Sequence, residues 1–153
     1  MSNLGKQFEL KFKEDFSKIS ESTIDRIYDV TTGYKSISNV CDFICYKYPN
    51  IFYIECKSHK GASFPFVNLT QYSKLKDKVG IKGVRAGVIL WLYEKDLVLY
   101  VPISTISQMM ADGKKSVGIR DLDKYNIIKI PSIKKRVFMD SDYSILLNMP
   151  EGN

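Results

Sequence analysis

Apolar residues recur at helical spacing at the start of the chain: Leu4, Phe8, Phe12, Phe16 and Ile19. That period predicts an amphipathic first helix of about four turns with its apolar stripe on a core. Glu9 borders the stripe on the side of Leu4, Phe12 and Phe16, and by pattern alone reads as an exposed helical glutamate. After Ile19 the pattern breaks into SESTIDRIYDVTTGYKSISN, a polar stretch with a turn-prone Gly33 that predicts a short extended excursion. Two β-type runs follow, VCDFICYKYPN and IFYIECK, around a turn at Tyr48-Pro49-Asn50. SHKGASFPFVN, punctuated by Gly61 and Pro65, reads as a loop. Asn68 or Thr70 then caps a helix, NLTQYSKLKDKV, with Leu69, Tyr72, Leu75 and Val79 on one face.

The second half is more apolar. AGVILWLY (86–93) is nearly continuous in hydrophobics, the mark of a strand covered on both faces. Glu94-Lys95-Asp96 turns the chain into LVLYVP (97–102), a helix around Thr105–Ala111 ends near Gly113, and NIIKI (126–130) makes a last short strand. Lys134, Lys135 and Arg136 then lead into a polar, frayed terminus. The order α, ββ, α, ββ, α, β predicts an α/β fold: a mixed β-sheet flanked by helices. One domain is expected over 1–140, with 141–153 as a C-terminal tail.

Composition narrows the classes. A chain of 153 residues buries a core without staples, and 44% hydrophobic with 26% charged residues is the balance of a globular protein in water. No apolar run reaches the roughly 20 residues of a membrane helix. The charges threaded through MSNLGKQFELKFKEDF leave no apolar centre for a secretory leader. Cys41, Cys45 and Cys56 are odd in number and form no CxxC pair, and with a single His the ligands of a structural zinc site are missing. Reduced thiols in a core point to the cytoplasm. A formal charge of +6 favours an anionic partner without proving one.

The stretch FYIECKSH sets the chemical question, because Glu55 and Lys57 interrupt a strand that otherwise asks to be buried. A hairpin turning between Tyr48 and Pro49 sets Asp42 directly opposite Glu55. Two carboxylates with Cβ atoms about 4.5–5.5 Å apart repel unless something offsets them. A hard divalent cation, Mg²⁺ or Mn²⁺, does so: it takes carboxylate and carbonyl oxygens and completes its shell with water and phosphate. The strand period puts Lys57 on the face of Glu55, where an ammonium steadies charge on a phosphate. Cys56 points its side chain into the core and leaves its carbonyl as a ligand. Asp42, Glu55 and the Cys56 carbonyl with Lys57 beside them are apparatus for phosphodiester hydrolysis. A Glu-x-Lys pair on a strand is also the ordinary form of a solvated surface ion pair.

The order Glu9, Asp42, Glu55-Cys56-Lys57 resembles the PD-(D/E)xK nuclease superfamily, with an acid on the first helix, an Asp opening one strand and ExK on the next. GKQFE near the N-terminus, IECKSHKGASFPFVNL after the hairpin and the following Gln71 narrow the resemblance to the RecU-type Holliday junction resolvases, over roughly residues 3–131. Two features depart from that family. Cys41 replaces the usual residue before the Asp, and the stretch 24–40 is short where members carry a long stalk into the junction, as a compact phage-encoded relative would have it. The resemblance implies Asp42 and Glu55 as metal ligands, Lys57 as the catalytic ammonium, Glu9 as a further metal-site acid and Gln71 as a group orienting water or phosphate. A solvated helical Gln is the other reading of Gln71. Ser63 and Phe64 would lie on a loop over the site.

The function so implied is a Mg²⁺-dependent, structure-selective endodeoxyribonuclease resolving four-way DNA junctions by paired nicks in recombination and repair. Its partner is branched DNA and its assembly a homodimer, since two symmetric nicks need two equivalent sites. The chain holds more aromatic surface candidates (Tyr28, Tyr34, Tyr46, Tyr48) than one small core requires, in agreement with an interface. Basic residues placed to line a phosphate track are Lys11 and Lys13, Lys57 and Lys60, Lys74, Lys76 and Lys78, Arg85, and Lys134 to Arg136. Tyr34 and Lys35 are expected nearest the junction centre, with His59 a loop histidine. Phosphate contacts of this kind read shape rather than base sequence. Two rivals stand beside this reading: a nuclease of the same core acting on linear or damaged duplex, and a non-catalytic DNA-binding module. No Gly-rich phosphate loop or nucleophile elbow supports a small-molecule enzyme.

Overall fold

A computed structural model of the chain describes residues 3–28 and 39–150, and the backbone of 30–32 and 35–37. The helical stripe becomes α1, Leu4–Phe16, which buries Phe8, Phe12 and Phe16. The strands β1 (Ser22–Arg26), β2 (Val30–Thr32), β3 (Lys35–Ile37), β4 (Phe43–Lys47) and β5 (Asn50–His59) follow. Next come β6 (Ser63–Pro65), the short α2 (Tyr72–Lys76), β7 (Val84–Leu92), β8 (Leu97–Pro102) and α3 (Ile103–Ala111). The strands β9 (Ser116–Gly118), β10 (Ile128–Lys129), β11 (Ser132–Lys134) and β12 (Met139–Ser141) complete the order.

Six strands form one sheet in the order β1-β4-β5-β7-β8-β10. All neighbours are antiparallel except β5 and β7, which run parallel with Ile51 opposite Val84 and His59 opposite Leu92. A parallel pair needs a crossover, and the chain between them supplies it through β6 and α2. The continuous hydrophobics of β7 serve two faces. Ile89 and Trp91 join Phe52, Ile54, Tyr100 and the α1 phenylalanines on one side. Val88, Leu90 and Leu92 join Leu99, Val101, Leu75 and the α3 residues Ile106 and Met109 on the other. The central strand is thus covered on both sides, as its composition predicts. Gly87 of β7 lies directly under the ring of Tyr100, where any Cβ would collide.

Four expectations change. The polar excursion contains β1, a full sheet strand, because an edge strand hides only alternate residues and Ile24 alone packs against the core from it. The loop SHKGASFPFVN holds β6, which pairs with β9 through Phe64 opposite Val117. The helix expected over NLTQYSKLKDKV is reduced to a 3₁₀ turn, Phe66–Asn68, and the few residues of α2, with Gly80 and Gly83 following at positive φ. NIIKI is not the last strand, and the terminus is not frayed through residue 149: β11 pairs with β12, and Met139, Tyr143, Leu146 and Met149 join the α1 core. The Tyr143 ring meets Phe12 edge-on at 4.8 Å.

Candidate active site

The hairpin register is the one the turn dictates: Phe43 lies opposite Ile54 and Lys47 opposite Asn50. The ladder ends at Phe43, whereas β5 runs on to His59 paired only with β7. A notch is left where β4 stops and β5 continues. Asp42 stands at its edge and takes over the missing ladder bond, since the Cys56 N–H donates to Asp42 Oδ2 at 2.9 Å. The Asp42 N–H donates to the Ile54 carbonyl at 3.1 Å, and its own carbonyl accepts from Ile27 N at 2.8 Å. In an extended strand the N–H and C=O of one residue point to the same side. The Cys56 carbonyl therefore faces the notch while its side chain is 7% exposed in the α1 core.

Glu55 is 3% exposed, and its Oε1 is buried without a hydrogen-bond partner. The other oxygen, Oε2, lies 3.3 Å from Lys57 Nζ, on the face the strand period assigns to both. Burial, with the Asp42 charge adding to it and Lys57 opposing, pushes the Glu55 carboxyl up to about 8. The Glu9 carboxyl is also raised, first by burial and then by Asp42, while Arg26 pulls it back. Asp42 is thus the common neighbour of an acid on α1 and an acid on β5. Helix and hairpin bring Glu9, Asp42, Glu55 and Lys57 to one place.

Sequence reasoning missed Arg26. Its guanidinium pairs with Glu9 Oε1 at 2.7 Å and lies over the rings of Phe43 and Tyr28, at 5.2 and 5.6 Å from their centroids. The signal was a single cation closing the alternating run STIDR, hidden in a segment read as polar. Arg26 ties Glu9 into place, so the acid expected on the helix surface by pattern is half-buried in an ion pair.

Gln71 precedes α2, and its Oε1 accepts from Thr70 Oγ1 at 3.1 Å; among the described residues it is not tied to the carboxylates. Ser63 and Phe64 lie on β6 rather than a loop. Ser63 Oγ donates to Ser116 Oγ, and Phe64 is buried with its ring edge against His59. Lys13, Lys60 and Lys74 are exposed. Arg85 is not on the surface at all: at 5% exposure it donates to the carbonyls of Pro150 and Met149. The expected phosphate contact is corrected to a clamp on the C-terminal segment, because a guanidinium in mid-sheet is held by carbonyls the chain brings to it. Lys11 is spoken for by Asp15 and Asp140, and Lys134 by Asp96. Tyr34 and the Lys35 side chain lie outside the described residues.

Among the described residues no group of three or more His, Cys, Asp or Glu side chains is arranged to hold a metal ion by itself. The donor set nevertheless fits a hard cation such as Mg²⁺, which is held by one or two carboxylates and a carbonyl and keeps open positions for water and phosphate. The buried, unpartnered Glu55 Oε1 beside a second carboxylate is the orphan such an ion would satisfy.

A solved structure that the chain resembles is that of Hjc from Archaeoglobus fulgidus, a Holliday junction resolvase from an archaeal hyperthermophile. The TM-score is 0.55 at 16% identity, covering 79% of this chain and 93% of that one. That likeness concerns the fold alone, the mixed sheet flanked by helices described above. No family profile matches the chain, and no curated protein matches it.

Proposed function

We propose that the chain is a divalent-metal-dependent endodeoxyribonuclease that resolves four-way DNA junctions by paired nicks. The observation that carries this reading is the notch itself. Two facing acids, Asp42 and the buried Glu55, share it with the Lys57 ammonium 3.3 Å from Glu55, on a fold like that of a resolvase. A non-catalytic binding module has no use for a buried carboxylate with an empty oxygen, which costs stability and gives nothing to DNA.

Asp42, Glu55 and the Cys56 carbonyl would hold the cation, with Glu9 beside them. When bound, the cation supplies Lewis-acid stabilisation of charge on the phosphate oxygens. Glu55 is fixed by the parallel pairing of β5 with β7, and Asp42 by the Cys56 N–H, so neither acid has to be reorganised as substrate arrives. Lys57 is partly exposed, on the strand face it shares with Glu55. Its ammonium is placed to orient an attacking water and to steady charge as the P–O bond breaks. Arg26 holds Glu9 toward the site. Exposed Lys13, Lys60, Lys74 and Ser63 take backbone phosphates, Tyr34 and Lys35 approach the branch point, and a two-fold dimer presents two sites to opposite strands. Within the resolvases, the RecU-type assignment rests on the residue order from GKQFE to Gln71.

The test is cleavage of a labelled four-way junction and of linear duplex of the same sequence, with Mg²⁺ or Mn²⁺ and with EDTA. Paired nicks on the junction alone, lost in EDTA and reduced at least about a hundredfold in Glu55→Ala and Lys57→Ala, are expected. Equal cutting of linear duplex sinks the junction assignment, and binding without any cutting sinks the nuclease.

A further inference from the structure

Beside the carboxylates, between α1 and β1, lies a cavity of about 370 Å³ that shares Glu9, Lys13 and Arg26 with the site above and whose interior the proposed chemistry leaves unassigned. Its walls come from one flank of α1 and the end of β1. Lys6, Leu10 and Lys13 stand at helical spacing along α1, and Arg26 and Tyr28 face them, with Glu9 shared with the active site. Leu10 is 68% exposed and Tyr28 73% exposed, two large apolar surfaces on either side of one opening. Neither belongs to the core. The Tyr28 carbonyl accepts from Asn39 Nδ2 at 2.5 Å, and its ring lies against the Arg26 guanidinium at 5.6 Å.

An aromatic plate backed by a guanidinium, an aliphatic wall opposite and two ammonium groups on the rim match an unstacked nucleotide: a base for the ring, a phosphate for the lysines. The one acid in the lining is neutralised by Arg26, so the pocket does not repel an anion. We infer that this cavity is a subsite for a single unpaired nucleotide of the DNA substrate, flanking the phosphate that is cut, with Tyr28 as its stacking platform. The inference rests on the proposed nuclease function and adds a source of selectivity to it. In linear duplex every base is already stacked and paired, and taking one out costs several kcal/mol. At a branch point stacking is already interrupted, so a base enters for the cost of its pairing alone, less than in linear duplex.

The test measures binding in EDTA, where no cleavage occurs, to four-way junctions that are intact or carry one abasic site at successive positions around the exchange point. Wild type is compared with Tyr28→Ala and Tyr28→Phe, with thermal melts to check that the exposed substitutions leave the fold intact. Tyr28→Ala is expected to weaken binding of the intact junction about tenfold and Tyr28→Phe to leave it unchanged. At one abasic position wild type and Tyr28→Ala should bind equally, the ring having nothing to stack on. A Tyr28→Ala loss that persists at every abasic position, or no loss at all, overturns the subsite. Cleavage of the intact junction in Mg²⁺ separates the two readings. An inert chain with binding that depends on Tyr28 and the base sinks the nuclease and keeps the subsite; an active chain without that dependence sinks the subsite alone.

Discussion

Glu55 makes the metal-free protein sensitive to pH in a definite direction. Its carboxyl sits at about 8 in the folded chain against an ordinary 4.5, so the folded state keeps a proton that the unfolded chain has released. Stability from this group therefore falls as pH rises from about 4.5 through 8, the reverse of a salt-bridged carboxylate. Thermal melts in EDTA should show the fall, Glu55→Gln should flatten it, and Mg²⁺ should restore stability at the alkaline end. A melting temperature that rises across the same window would refute the burial argument. Asp42 separates two roles in another way, because one of its oxygens holds the Cys56 N–H. Asp42→Asn keeps an acceptor there and should lose cleavage with little loss of stability. Asp42→Ala strands that N–H and should cost about 1–3 kcal/mol besides, read by denaturant titration. These two acids were legible in the sequence because a turn fixes a hairpin register and a strand fixes alternate faces. Arg26 was not, since a lone cation at a strand's end has no pattern to stand out from.

At the scale of elements, what the chain revealed in advance were long periodic runs: α1, the β4–β5 hairpin, β7, β8 and α3. Three-residue strands such as β6, β9, β11 and β12 are shorter than any period that could announce them, and their pairing is decided by what the larger sheet leaves open. The same limit hid the C-terminal segment. Tyr143, Leu146 and Met149 recur every third residue, the period of the 3₁₀ turn Tyr143–Asn148, a run too short to announce itself, yet they complete the face of the sheet on which α1 lies. Arg85 shows how that segment is fastened. Replacing it by Met removes two bonds from a buried guanidinium to main-chain carbonyls and should cost roughly 2–3 kcal/mol. DNA affinity should stay unchanged, because a side chain 5% exposed touches no phosphate. An Arg85→Met protein of native stability with weakened DNA binding would return this residue to the surface track.

For the molecule as a whole, charge and symmetry make the strongest demands. If exposed lysines grip backbone phosphates, junction affinity should fall steeply with salt, by about 0.9 in log K per log unit of salt for each phosphate neutralised. Sedimentation should give twice the chain mass of 17.6 kDa, at least with junction bound. A salt-independent monomer would contradict both. The two ends of the described chain also meet: Lys11 bonds Asp140 at 2.6 Å, Asp15 accepts from the Ser141 N–H, and Phe12 packs on Tyr143. The helix that presents Glu9 is therefore seated by residues made more than a hundred positions later. During synthesis a nascent chain displays its first helix long before the partner for that helix exists, and domains otherwise tend to fold from the N-terminus as they emerge. Until those later residues are made, Glu9 has no seated helix to hold it, so an incomplete chain carries the candidate site unassembled.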